Sequence, residues 1–192
     1  AAAREPWRRR LHRGWAEYRY AVLVALLSRF VVAAIFAMVG WVSRAHQGWG
    51  PSLNVLFGSV GSWDGLWYRQ IALQGYDPAL YHGNTAAFFP LYPALLAGGH
   101  RLIGFLDIAY VGSLLSQLLY VAGICLLYRL THDKLGRGVA RRTVLYLSIS
   151  PLAFVFSMVY AESLFLLMAV AAFLLVERRR LVLGCVAGAL AV

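Results

Sequence analysis

Two isolated acids stand where this chain could do chemistry. Asp64 lies in GSWDGLWYRQIALQGYD, residues 61–77, between Trp63 and Gly65, and Glu162 is the one charge in the apolar run 143–176. A carboxylate can take a proton from a hydroxyl or help hold a cation. It can also serve structure alone: Asp before GLWYRQIAL is a good helix N-cap, and Glu162 can mark a solvated hairpin. The choice depends on whether the surrounding elements bring both acids to one side of a membrane.

A membrane is implied by composition. Residues are 61% hydrophobic and 14% charged, mean hydropathy is +0.66, and several apolar runs approach bilayer-spanning length. The net charge of +10 does not indicate nucleic acid, because the basic residues cluster between apolar runs as cytoplasmic membrane loops do. Cys125 and Cys185 lie inside apolar runs, without disulfide or metal-ligand spacing. The expected fold is all-α and polytopic.

Three arginine clusters set the expected topology. Arg4 to Arg19 precede the run 20–42, THDKLGRGVARR follows at 131–142, and Arg178, Arg179 and Arg180 follow a third apolar stretch. If each cluster is cytoplasmic, an even number of crossings separates them. Of the runs 20–42, 86–106 and 108–128, the middle one is broken by Pro90, Pro93, Gly98, Gly99, His100 and Arg101, so it is expected to lie along the interface. As one helix, residues 143–176 would be about 51 Å long and would put flanking arginines on opposite faces. Two short spans are expected instead, with the break at Tyr160 to Ser163. The organisation expected is a basic segment 1–19, an outer loop 43–107 and transmembrane helices over 108–192, in a single transmembrane fragment that continues beyond its C-terminus. Asp64 and Glu162 then share the outer face.

WDGLWYRQIALQGYD, followed by AAFFPLYPALL and SPLAFVFSMVYAESLFLL, resembles the PIG-V family, which is glycosylphosphatidylinositol mannosyltransferase II and its bacterial relatives within the GT-C class. The resemblance spans residues 20 to 192. It implies a membrane mannosyltransferase that moves a sugar from a polyprenyl-phosphate donor to a lipid or glycan acceptor on the extracytoplasmic face. It also implies that Asp64 is the catalytic carboxylate of the first outer loop and Glu162 the acid of the second. A phosphate is already a competent leaving group, so the enzyme has only to activate a hydroxyl and balance charge on the departing phosphate, and direct displacement inverts the anomeric centre.

Candidate phosphate partners are Arg69, His82, His100 and Arg101, with Arg101 foremost, and each is also a plausible interfacial anchor. Tyr68 and Tyr76, with Phe88, Phe89 and Tyr92, can stack on sugar or prenyl chain, or can simply pack. Arg29, inside the first span, is expected to face protein or a polar cavity, as a helix-tying group or a substrate contact. A divalent metal ion shared by Asp64 and Glu162 would lack a third protein ligand. A transporter or lipid-scrambling protein would carry charges near the midplane of several spans, and only Arg29 fits; a scaffold subunit would not need two acids on one face. Arginine supplies all of the 18 basic residues but Lys134, and alanine is abundant. That composition suggests a GC-rich genome, hence a bacterial plasma membrane, with the endoplasmic reticulum as the eukaryotic equivalent.

Overall fold

A computed structural model describes residues 7–45, 58–77, 85 and 87–191, and those residues contain helices and turns without strands. In chain order the elements are α1 (Trp7–Ala45), a 3-10 turn (Gly58–Gly61), α2 (Asp64–Gln74), α3 (Leu91–Leu102), α4 (Ile108–Leu135), α5 (Arg137–Ile149), a 3-10 segment (Pro151–Ser157), α6 (Glu162–Glu177) and α7 (Leu181–Ala189). Two helical stretches, Tyr18–Val42 and Ile108–Leu135, are long and apolar enough to cross a membrane. The fold is an all-α membrane protein, as expected.

Helices α1 and α4 run antiparallel. Tyr18 meets Tyr128 edge-on at 6.3 Å between ring centres, and the Arg29 guanidinium lies 4.5 Å from the Tyr120 ring. Ala21 and Ala25, fully buried against Tyr120, Ile124 and Tyr128, let the two backbones approach closely. Because Arg141 lies over the Tyr20 ring at 5.0 Å and Lys134 Nζ pairs with Glu177 Oε1 at 2.9 Å, the basic clusters gather at one end of the bundle. The start of α6, with Glu162, and the start of α4 are at the other end.

Helix α3 has 12 residues, about 18 Å, too short for a hydrocarbon core of about 30 Å. It packs on α2 and α4 through Tyr92 and Leu96. Residues 143–176 were expected to break once, into two short spans, and the chain changes direction in more than one place there. A break does fall before Glu162, but the chain has already turned by 80° between Arg137–Ile149 and Pro151–Ser157. The cause is local: Pro151 lacks an N–H, and its ring keeps Ser150 out of the helical region, at φ −54°, ψ 139°.

That bend exposes carbonyls inside a helical bundle, and side chains satisfy them. Arg29 Nη1 donates to the Ala153 carbonyl at 2.6 Å and to Ser157 Oγ at 3.0 Å. Ser113 Oγ donates to the Ser157 carbonyl at 2.7 Å, and Ser163 Oγ to the Phe156 carbonyl at 3.3 Å. Irregular backbone survives among apolar helices only with such partners.

Candidate active site

Asp64 enters its helix through a strained turn. The Gly65 N–H donates to the Ser62 carbonyl at 3.0 Å, and Trp63 sits at φ 51°, ψ −123°, the first central position of a type II′ turn, where glycine is normally required. Trp63 is the N-cap, and no side chain caps this helix end, so the capping role open to Asp64 in the sequence is not the one it has. Its carboxylate is exposed on the first residue of α2. The next residue packs closely on the second segment: a Cβ on Gly65 would lie 3.5 Å from both the Val159 Cβ and the Val159 carbonyl oxygen, in ordinary van der Waals contact.

The second acid approaches from residues 158–162. The Val159 N–H donates to the Val60 carbonyl at 2.9 Å, tying this segment to the turn before Asp64. Ser116 Oγ donates to the Tyr160 carbonyl at 3.3 Å and shares a 2.7 Å hydrogen bond with the Tyr92 hydroxyl. Glu162 then opens α6, so each acid occupies the first turn of a helix, where the dipole favours negative charge. Packing and hydrogen bonding thus bring together two segments almost a hundred residues apart in sequence.

The electrostatics record this proximity. Partial burial raises the Glu162 carboxyl above its ordinary value; a hydrogen bond from its own backbone opposes that rise, and the charge of Asp64 adds to it. Burial followed by the charges of Glu162 and Asp64 pushes the Tyr68 phenol up to about 12. The Tyr160 phenol is also raised, by burial first and then by Asp64, with the Asp64 backbone opposing and Glu162 contributing. Two phenols that feel both acids therefore remain hydrogen-bond donors at neutral pH.

Tyr68 is fixed by aromatic neighbours, edge-on to Phe88 and to Tyr92 at 5.0 Å in each case. One helical turn from Asp64, it shares that residue's face of α2. Tyr76 has a more structural place, since its hydroxyl donates to the Phe88 carbonyl and holds the chain entering α3. Arg69, five residues after Asp64, lies against the turn before that acid: a Cβ on Gly61 would meet its Nη1 at 2.9 Å, and its Nε is buried with no hydrogen-bond partner among the described residues.

His100 and Arg101 stand in the last turn of α3, where cations suit the helix dipole. Arg101 is nine residues from Tyr92, about 14 Å along the helix, so the structure separates it from the α3 residue that touches Tyr68. His82 lies outside the described residues. Among the described residues no three His, Cys, Asp or Glu side chains gather as metal ligands. The Asp64–Glu162 pair offers a divalent ion two carboxylates, so most of its oxygen shell would come from water or a substrate phosphate.

An apolar cleft of about 860 Å³ reaches the turn before Asp64. Leu27, Val31 and Ile35 of α1 form one wall, Phe154 contributes to the other, and Ser62 and Trp63, the two residues before Asp64, also line it. The sequence reading missed Tyr160 as a site residue and missed the conformation of Trp63. Adjacency to Glu162 was the available signal for Tyr160, whereas nothing local to Trp63 signals a positive φ.

A family model described as Mannosyltransferase (PIG-V) matches residues 49–191, which include both acids, α2 and all the elements that follow it. No curated protein and no solved structure matches the chain.

Proposed function

Given that the chain belongs to the PIG-V mannosyltransferase family and is thereby a membrane glycosyltransferase, we propose that it transfers mannose from a polyprenyl-phosphate donor to a lipid or glycan hydroxyl at the extracytoplasmic face, with inversion. The observation that carries this reading is the meeting of Asp64 and Glu162 at two helix N-termini, beside an apolar cleft whose wall includes Trp63. Family membership supports the sugar; the acids and the cleft support the chemistry and the lipid carrier.

In this mechanism Asp64 removes the proton from the acceptor hydroxyl as that oxygen attacks the anomeric carbon. The bond from that carbon to the phosphate oxygen breaks, and polyprenyl phosphate leaves with the electron pair. Glu162 orients a sugar or acceptor hydroxyl, and the phenols of Tyr68 and Tyr160 donate to oxygens of the donor. The start of α2 and the start of α6 supply partial positive charge toward the phosphate, a role that does not require Arg69 or Arg101 at the acids. Facing the acid end outward places the basic end in the cytoplasm, in accord with the charge rule. Bacterial plasma membrane is the proposed location.

Reconstitution tests the reading. Full-length protein in liposomes, given polyprenyl-phosphate mannose and a membrane lipid extract, is expected to yield a mannosylated lipid and free polyprenyl phosphate in equal amounts. Absence of transfer from this donor by correctly inserted protein, with transfer from a nucleotide sugar instead, would overturn it.

A further inference from the structure

Arg29 lies inside the first span and far in sequence from either acid, yet it is 3% exposed and attached to the element that delivers Glu162. Of its three guanidinium nitrogens only Nη1 has hydrogen-bond partners among the described residues, the Ala153 carbonyl and Ser157 Oγ, while Nε and Nη2 are buried with none there. Tyr120 closes over the guanidinium, and its own hydroxyl is engaged with Ser148 Oγ at 2.7 Å. A cation so incompletely compensated is costly among apolar helices and needs a reason to be there.

The reason lies in what the Pro151–Ser157 segment does next. It ends at Ser157, and Val159, two residues later, makes the 2.9 Å bond to Val60 and fills the space left by Gly65 and Gly112. We propose that Arg29 is a positioning residue: by gripping the bent 151–157 segment from within the bundle, it seats Val159 against the turn before Asp64 and so holds Tyr160 and Glu162 at the site. Ser113 grips the same segment from α4, through the Ser157 carbonyl. The first span therefore reaches the chemistry through α1, the bent segment and Val159 in succession, without touching substrate. Its effect on catalysis rests on the mannosyltransferase reading, whereas its effect on the seating does not.

The seating can be read without any transfer assay. A Cβ at position 65 would lie 3.5 Å from that of Val159, within the range a disulfide spans. In full-length protein with Cys125 and Cys185 replaced by alanine, the Gly65→Cys and Val159→Cys pair is expected to cross-link rapidly under mild oxidation. Arg29→Met is expected to slow that cross-linking about tenfold, the loss of one charge-assisted attachment, and Arg29→Lys to restore part of it. The same Arg29→Met change in the otherwise native protein is expected to lower kcat with little change in the donor KM. Ser113→Ala and Ser157→Ala, which each remove one side-chain contact that grips the 151–157 segment and preserve the span, are expected to slow cross-linking by smaller factors. Cross-linking at the wild-type rate in Arg29→Met, or in both serine variants where Arg29→Met fails to insert, would overturn the proposal. Slowed cross-linking in a protein that transfers no mannose would uphold the seating and reject the mannosyltransferase reading alone.

Discussion

The N–H of Val159 donates to the carbonyl of Val60 at 2.9 Å, and through this bond the segment leading to Glu162 is joined to the turn leading to Asp64. Neither residue carries chemistry. Their contact nevertheless joins the segments that carry two acids distant in sequence, and on the proposed mechanism it lets both act on one substrate.

Enlarging Gly112 should break that arrangement. A Cβ there would sit 2.6 Å from Val159 Cγ1, and a valine side chain has little rotamer freedom with which to yield. Gly112→Ala is expected to destabilise the protein by about 1–3 kcal/mol and to reduce transfer. Thermal melting in detergent checks the first effect, and adding Val159→Ala should recover much of both.

Relieving Trp63 should separate stability from function. Its backbone conformation suits glycine, and its side chain is 68% exposed, so Trp63→Gly loses little packing. Relief of strain should leave the melting temperature unchanged or raise stability by about 1 kcal/mol. The donor KM is expected to rise, because the cleft loses an aromatic wall. A lower melting temperature together with an unchanged KM would contradict this account of the turn.

The Glu162 carboxyl is raised in the folded protein, chiefly by burial, and this fixes the sign of a pH effect. Below the ordinary glutamate value of 4.5 both folded and unfolded chains carry the proton. As the pH climbs from there toward the raised value, the unfolded chain ionises first, so stability declines; above the raised value it is level. Glu162→Gln is expected to remove that decline, measured as the melting midpoint from about pH 4 to about pH 8. A wild-type midpoint that rises over the same interval would show that ionised Glu162 is stabilised in the fold.

Much of this could be read from residue order. Asp64 and Glu162 were conspicuous because charge is rare in their surroundings, and three arginine clusters carried the polarity of the bundle because loops close to a membrane are selected for charge. The bend at Ser150 was equally visible, in the residue before Pro151, but the solitary charge at 162 drew the expected break to itself. The conformation of Trp63 was not legible at all, since a positive φ at a tryptophan has no signature in the neighbouring residue types.

The most direct measurement is the initial rate of mannose transfer by Asp64→Asn at matched levels of inserted protein. Asp64 neither caps α2 nor is buried, so the substitution should leave melting nearly unchanged, while loss of the hydroxyl-activating carboxylate should slow transfer by about 10²- to 10⁴-fold. A rate close to that of the wild type, from Asp64→Asn protein that is correctly inserted and folded, would contradict the account.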